Sequence, residues 1–411
     1  MIFRDRGVAA LAVSELVSTF GTRLTVVALP WFVLVTTGSA ARMGFVLAAG
    51  VLPLALFGIP SSALVNRFGA RRTLIASDLA RAPLIALVPA LHGVGALSFP
   101  LLLAIVFALG AAGAPYFASK RLILPELIGD DPLRVSQANS AIEGANRVTA
   151  LLGPVAAGFV IAELGASSAL WLDGASFFVS YLLLVAFVPR REPIAAEAEE
   201  PRGTVAALRF LAHDRLLGGM ALTVVLFGTF WPVLFASLPV LAYSHGRDAK
   251  LAGYLFALWG AGTSCGSLVA FAAAGRLAAQ RMARGAIVAV TLPLAALAMT
   301  DSPWAVGTVL AVTGVFIPVL NAPVLSTFTL RTPARFRAQV MTTVTTCEEL
   351  AGPVVLTAAG PAIQAFGLRP AYAFVAAGGA VAATVFFFAT APARGVRSED
   401  ADRRPRAART H

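Results

Sequence analysis

Glu15 and Arg23, near the start of the chain, could do chemistry because both are ionisable residues inside an apolar stretch. A charged side chain in hydrocarbon is costly unless it is paired or faces water. On a helix, Glu15 shares one face with Ser18 and Thr22, and Arg23 lies at the edge of that face. We therefore expect this face to line a cavity, with Glu15 as a substrate or proton site. The alternative is an ion pair of Glu15 with Arg23 or with another helix.

A second pair of acidic residues, Glu348 and Glu349, also lies in an apolar stretch. Side chains of adjacent residues on a helix point in different directions, so we expect the two carboxylates to have separate partners. Burial and mutual repulsion would let at least one of them take up and release a proton. The pair is therefore the second candidate for coupling, and the alternative is pairing with Arg23, Arg81 or Arg147.

Three further sites combine charge with helical spacing. Glu143 and Arg147 are four residues apart and can pair on one face, which favours a structural pair over a coupling site. Asp78 and Arg81, three apart, are interpreted in the same way. For Asp173 we expect a structural hydrogen-bonding role.

These residues lie in a chain that is 58% hydrophobic and only 13% charged. A soluble domain carries about 25% charged residues. The apolar residues come in runs of about 20, the length that an α-helix needs to cross hydrocarbon. The net charge of +11 is spread between these runs rather than on one face, which argues against nucleic acid as a partner. The composition predicts a polytopic membrane protein.

We predict an all-α protein with twelve transmembrane helices in two pseudo-symmetric six-helix bundles. The helices are expected near 8–35, 43–65, 73–91, 97–118, 138–162, 167–188, 216–241, 249–273, 285–300, 303–328, 338–364 and 370–391. The predicted domains are 1–188 and 216–391, with a linker at 189–215 and a disordered basic tail at 392–411. The linker contains a short amphipathic segment, 205–211, that we expect to lie along the membrane surface.

The orientation follows from lysine and arginine, which are concentrated in the segments that share a side with the two termini. Cytoplasmic loops carry an excess of these residues. We therefore expect both termini in the cytoplasm and the protein in the plasma or inner membrane.

A cationic turn, 62–72, separates the second and third predicted helices. Gly69 permits a tight reversal of the chain. The arginines of the turn, which hold it on the cytoplasmic side, are Arg67, Arg71 and Arg72. A similar turn in the second half carries Arg276 and Arg281, and such a duplication favours a transporter.

The turn, the duplicated six-helix unit and the linker together resemble the major facilitator superfamily. Its signature turn has the form Gly-x-x-x-Asp-Arg-x-Gly-x-Arg-Arg. Arg67, Gly69, Arg71 and Arg72 match this form, whereas Ser62 and Asn66 replace its first glycine and its acid. The resemblance implies the major facilitator fold and a role for the turn at a cytoplasmic gate. Asn66 can form hydrogen bonds there, but it cannot form an ion pair.

Several segments of the first half are similar to the branch of this family that contains enterobactin exporters and macrolide-efflux proteins. They include Ser18 to Leu24, Thr37 to Ala40, Leu124 to Leu127, and Gly153 to Gly158. The last segment is similar to part of the glycine-proline motif of antiporters. This similarity implies export as the direction of transport.

The seventh predicted helix places Phe227 and Phe230 on one face, where we expect them to line the cavity. A cavity with aromatic rings and few polar groups suits hydrophobic or amphiphilic substrates. The alternative is that these rings pack against neighbouring helices.

The sequence has neither a phosphate-binding loop nor a Cys/His cluster with metal-ligand spacing, so we predict no enzyme activity, cofactor or metal. Energy for transport would then come from an ion gradient, most simply of protons. The prediction is a monomeric, proton-coupled exporter of a drug-like or siderophore-like small molecule. The alternatives are an importer or facilitator of the same fold, or a non-transporting membrane sensor or scaffold.

Overall fold

The computed structural model describes residues 6–120, 122–129, 131–190, 204–273, 276 and 278–391. The predicted tail, 392–411, and part of the predicted linker, 191–203, lie outside the described residues. The described part of the chain is helical almost throughout.

The helices are numbered α1 to α14 in chain order. They are α1 (Arg6–Thr37), α2 (Ala40–Phe68), α3 (Ala70–Gly93), α4 (Phe99–Lys120), α5 (Ile123–Ile128), α6 (Pro132–Leu164), α7 (Ala166–Phe187), α8 (Thr204–His213), α9 (Arg215–Ser244), α10 (Ala249–Ala273), α11 (Ala279–Leu297), α12 (Pro303–Arg331), α13 (Ala334–Phe366) and α14 (Leu368–Thr390). The twelve long helices confirm the twelve predicted helices in number and approximate position, and α8 includes the predicted amphipathic segment.

Helix α6 begins several residues earlier than the sequence predicts. The Asp131 carboxylate accepts hydrogen bonds from the backbone N–H groups of Leu133, at 3.0 Å, and Arg134, at 3.4 Å. Pro132 occupies the first turn, where its missing N–H costs nothing. This capped first turn is polar and therefore lies outside the apolar run from which the span was predicted.

Ten of the described helices are long and apolar enough to cross a membrane by length and composition. The two other long helices, α11 and α13, carry polar residues that lower their hydropathy. Arg281 and Arg284 lie near the start of α11, and Glu348 and Glu349 lie midway along α13. Both helices nevertheless pack inside the bundle, α11 against α12 and α14, and α13 against α2 and α9.

The long helices pack in the same pattern in both halves of the chain. In the first half, α1 packs on α6 and α7, α3 packs on α4 and α7, and α2 packs on α4. In the second half, α9 packs on α13 and α14, α11 packs on α12 and α14, and α10 packs on α12. This repetition confirms the predicted pair of six-helix bundles.

The two halves meet along two helix pairs, α2 with α13 and α6 with α10. Glycines permit the backbones to approach closely at both seams. A Cβ on Gly44 of α2 would lie 2.8 Å from the Cα of Gly360, and a Cβ on Gly253 of α10 would lie 3.0 Å from the Cα of Gly158. A larger residue at either seam would push the halves apart.

We call the end of the bundle at which α1 begins the basal end, and the opposite end the distal end. Polar contacts join the halves at the distal end, where the Ser39 hydroxyl donates to the Gln364 side-chain oxygen (2.6 Å) and Lys250 pairs with Glu163 (2.7 Å). The ring of Trp31 also meets the ring of Tyr243 there, with centroids 6.1 Å apart. At the basal end, the polar contacts among described residues stay within one half. Among the described residues, the polar contacts that join the halves therefore lie at the distal end.

Candidate functional site

Glu15 is buried inside the first half and has three partners. It accepts hydrogen bonds from the Tyr116 hydroxyl and, at 3.3 Å, from the Thr19 hydroxyl, and it forms an ion pair with Lys120. Tyr116 and Lys120 are four residues apart on α4, so both face α1. The structure favours the alternative interpretation of Glu15, an ion pair with another helix, and the partner is Lys120 rather than Arg23.

Asp78 and Arg81 form the predicted pair within α3. The pair is buried, and the Ser180 hydroxyl of α7 donates a hydrogen bond to Asp78 (2.6 Å). The Arg81 guanidinium lies over the rings of Tyr116, at 4.0 Å, and Phe177, at 4.2 Å. Tyr116 thereby links this pair to Glu15 in one buried network.

Asp173 of α7 accepts hydrogen bonds from the hydroxyls of Thr25 and Ser176, which confirms its predicted role. The sequence predicts that Ser18 lines an open cavity. In the structure Ser18 is buried, with 1% of its surface exposed, so it does not line one. The half-buried Thr22 donates its hydroxyl to the Ser18 backbone carbonyl (2.9 Å). Much of the polar face of α1 is thus occupied by contacts within the first half.

A cavity of about 270 Å³ lies in the second half, between α9, α10, α12, α13 and α14. Its lining is mostly aromatic and aliphatic. The rings form a continuous cluster. The centroid of the Trp231 ring lies 4.7 Å from that of Trp259 and 6.1 Å from that of Phe227, and the Phe235 and Trp259 centroids are 5.3 Å apart. Phe227 lines this cavity.

Phe230 does not line this cavity. Its side chain is fully buried and packs on Gly378 of α14, where an added Cβ would lie 2.9 Å from the ring. The sequence-based prediction for Phe230 is wrong because its ring faces α14. Its alternative, packing against a neighbouring helix, describes what the ring does.

Glu348 supplies the carboxylate on the wall of the cavity. Its stem lies against Gly228 of α9, and it has no ion pair or hydrogen bond with any residue that the structure describes. Glu349, the next residue, is exposed and likewise lacks a described partner. The anticipated pairing of these carboxylates with Arg23, Arg81 or Arg147 is not formed within the described part of the chain. Asn321 and Thr223 are the other polar residues that line the cavity.

Glu143 and Arg147 of α6 are both exposed, and no ion pair joins them in the described chain. The predicted structural pair is therefore not formed. Their turn of α6 lies on the basal side of Ala150, whose carbonyl would be 2.5 Å from a Cβ on Gly260 of α10. Glu143 and Arg147 thus lie nearer the basal end than this contact between α6 and α10.

The cationic turn is anchored within the first half. Gly69 adopts a positive φ of 84° between α2 and α3, which confirms the predicted reversal. Arg71 donates to the backbone carbonyls of Val188 (2.7 Å) and Val185 (3.1 Å) at the end of α7. The Glu126 carboxylate accepts a hydrogen bond from the N–H of Ala70 (3.1 Å) at the start of α3. Sequence analysis missed this contact, although the acid is part of the Leu124 to Leu127 segment.

The remaining polar residues of the turn, Asn66, Arg67 and Arg72, lie on the surface of the protein. Asn66 and Arg72 are exposed, and the Arg67 guanidinium lies 5.4 Å from the centre of the Phe68 ring. The polar contacts that the turn forms with other described residues stay within the first half.

The sequence model of the Major Facilitator Superfamily matches residues 11–356. The chain is 29% identical over 370 residues to the multidrug efflux pump Tap of Mycolicibacterium fortuitum, a match that covers 86% of this chain and 88% of that protein. It is 27% identical over 380 residues to Tap of Mycobacterium tuberculosis, with 90% of each chain covered.

Two solved structures with similar folds are the nucleoside transporter NupG and a bacterial homologue of the human lysosomal transporter Spinster in an inward-facing, unoccupied conformation. NupG has a TM-score of 0.72 at 14% identity, covering 93% of this chain and 98% of that one. The Spinster homologue has a TM-score of 0.72 at 15% identity, covering 94% and 97%. At these identities the similarity shows the fold alone. Because the family's sequence model covers most of the chain and the helix packing repeats between the halves, this multi-pass membrane protein belongs to the Major Facilitator Superfamily of transporters.

Proposed function

We propose that this chain exports a hydrophobic or amphiphilic small molecule, of drug or siderophore type, in exchange for protons. The observation that carries the proposal is Glu348, a carboxylate with no partner among the described residues on the wall of an aromatic cavity. The relatives named as multidrug efflux pumps support export as the direction.

The cavity supplies affinity without strict shape selection. Its tryptophan and phenylalanine rings offer a large apolar surface, and their faces also attract a substrate cation. Glu348 adds a charge to this surface when it is ionised and removes it when it is protonated. Because an ionised carboxylate binds a cationic substrate better than a neutral one does, proton uptake by Glu348 would favour release of the substrate.

Glu15 is less suited to this coupling role. Its carboxylate already has Lys120 and Tyr116 as partners, both from the same half of the protein. A motion of one half against the other would leave these contacts unchanged. We therefore assign coupling to Glu348, with Glu349 beside it as the second acid.

Alternating access would proceed by rotation of the two halves about their glycine-lined seams. In the described conformation the ring of Trp31 meets the ring of Tyr243 at the distal end. Polar contacts also join the halves there, namely Ser39 with Gln364 and Lys250 with Glu163. Such contacts can exchange for water when the distal end opens.

Three further predictions enter the proposal with this mechanism. The chain would divide into residues 1–188 and 216–391 joined by a linker at 189–215, and it would act as a monomer. Both termini would face the cytoplasm, so the basal end would be the cytoplasmic end. The concentration of lysine and arginine at this end supports that orientation.

The test uses inside-out membrane vesicles that contain the full chain, an acidified interior and the cationic dye ethidium. Wild type should accumulate the dye in response to the proton gradient, and Glu348→Gln should abolish this accumulation. Asp301→Asn is the matched control, because Asp301 is an exposed acid at the distal end, 4.0 Å from Arg369. This variant should transport as wild type does.

Each contrary result identifies a different alternative. Full accumulation by Glu348→Gln would refute the role of this carboxylate. Accumulation only under the opposite gradient would indicate an importer. Absence of gradient-dependent flux in wild type would favour a sensor or scaffold.

A further inference from the structure

Arg23 is a cation midway along α1 that lacks an ion pair with any described residue. Its Nε atom is buried and has no hydrogen-bond partner. A guanidinium does not lose its proton in proteins, so it cannot relieve this situation by becoming neutral. Arg23 is half-buried, and an arginine inside a span is costly unless it faces water or a counter-charge, which a ligand carboxylate would supply.

The side chain is held in place by α6. The first carbons of the Arg23 side chain lie against Gly153, where any added Cβ would collide with them. Long side chains on a helix tilt toward its N terminus, so the guanidinium is directed toward the basal end. Gly153 therefore leaves room for the aliphatic part of the Arg23 side chain where α1 packs on α6.

Asn146 is the second unpartnered polar group where α1 packs on α6. It lies two turns before Gly153 on the same face of α6, in the direction in which the Arg23 side chain tilts. Its side-chain oxygen Oδ1 is also buried without a hydrogen-bond partner. The Arg23 donor Nε and the Asn146 acceptor Oδ1, each without a partner among the described residues, thus lie along the contact between α1 and α6.

Both residues are accessible from outside the helices. On α1, Arg23 lies between Thr19 of the polar face and Phe20, which lines a separate apolar groove with Leu152. On α6, Asn146 lies one turn on the basal side of Ala150, which contacts Gly260 of α10. Because Arg23 and Asn146 are each only half-buried, a ligand can reach both side chains.

We propose that Arg23 and Asn146 form a carboxylate-binding subsite, so that the preferred substrate is a zwitterionic amphiphile. Its carboxylate would bind the Arg23 guanidinium, and a neighbouring hydroxyl or N–H would donate to Asn146. Its cationic, ring-bearing part would face the aromatic cavity and Glu348 in the other half. This inference rests on the proposed function, because it describes the substrate of the same transport cycle.

The test compares two dyes that differ in one group, rhodamine 110, which has a free carboxylate, and rhodamine 123, its methyl ester. Binding is measured by fluorescence polarisation on the full chain in lipid nanodiscs. We expect wild type to bind the free acid about tenfold more tightly than the ester, the value of one charge-assisted hydrogen bond. Arg23→Met should remove this difference, and Arg23→Lys should retain part of it.

Arg42→Met is the matched control, because Arg42 lies over the Phe99 ring at the distal end, 5.3 Å from its centre. It should keep the preference of wild type. The inference would be overturned if wild type bound the two dyes equally well or bound neither of them. It would also be overturned if the preference for the free acid survived Arg23→Met. Glu348→Gln separates the two proposals, because it should stop gradient-driven transport of both dyes and leave the preference for the free acid intact. Transport that continues in Glu348→Gln would refute the coupling proposal alone.

Discussion

Gln364 closes the distal end by capping a helix of the opposite half. Its side-chain oxygen accepts hydrogen bonds from the Ser39 hydroxyl, at 2.6 Å, and from the N–H of Ala41, at 3.0 Å. Both donors belong to the start of α2, whereas Gln364 lies near the end of α13. The two bonds must break when the distal ends separate.

Gln364→Ala should therefore shift the protein toward a conformation that is open at the distal end. A single hydrogen bond contributes about 0.5–1.5 kcal/mol net, and these two are exposed, so their joint contribution is about 1–2 kcal/mol. A change of that size corresponds to a shift of about 5- to 30-fold in the ratio of the two conformations. The ratio of distal-closed to distal-open protein should fall by this factor.

The assay is electron-electron double resonance between spin labels at Val94→Cys and Met299→Cys, after replacement of Cys265 and Cys347 by serine. Val94 and Met299 are highly exposed and occupy equivalent connections at the distal end of the two halves, after α3 and after α11. Gln364→Ala should increase the long-distance component of the distribution.

Gln280→Ala is the matched control for this experiment. Gln280 is a glutamine whose side chain donates to the Thr390 carbonyl, at 2.6 Å, within the second half. Its loss should leave the distal distances unchanged. An unaltered distribution in Gln364→Ala, or an equal change in both variants, would refute the idea that this cap holds the distal end closed.

Two further predictions concern the buried network and the cavity. Lys120→Met leaves the Glu15 carboxylate without its cation and should lower the free energy of unfolding by about 1–3 kcal/mol, read as a lower melting temperature, and Glu15→Gln in the same chain should restore part of it. Unchanged stability in Lys120→Met would contradict the structural role given to this pair. Trp231→Ala removes a ring that lines the cavity and should weaken ethidium binding about tenfold, whereas Trp304→Ala, at an exposed tryptophan, should not. Equal effects of the two tryptophan variants would place the dye outside this cavity.

The sequence predicts the features that depend on nearby residues. Each long helix coincides with an apolar run, so all twelve could be located, although the polar first turns of α6 and α11 extend those helices beyond their runs. Asp78 and Arg81 could be paired because they lie three residues apart on one helix. Gly69 could be assigned a reversal because its position between two helices favours a positive φ.

Contacts between distant helices could not be predicted in the same way. Lys120 is the partner of Glu15 because α4 faces α1 across the first half, and nothing in the local pattern gives that arrangement. Phe227 and Phe230 are three residues apart and share a face, yet one lines the cavity and the other packs on α14. The boundary between those environments depends on the rotation of α9 about its own axis.

The distribution of partners separates the acids that can respond to a motion of the halves from those that cannot. Glu15, Asp78 and Asp173 are bonded to residues of their own half, so a rigid rotation carries each acid together with its partners. The contacts of these acids are therefore the same before and after the rotation, so nothing in them would respond to transport. Glu348 lacks a described partner, so the polarity of its surroundings depends on the contents of the cavity. A change in those surroundings is what couples a proton to a substrate, and for this reason we expect the exchange to depend on Glu348.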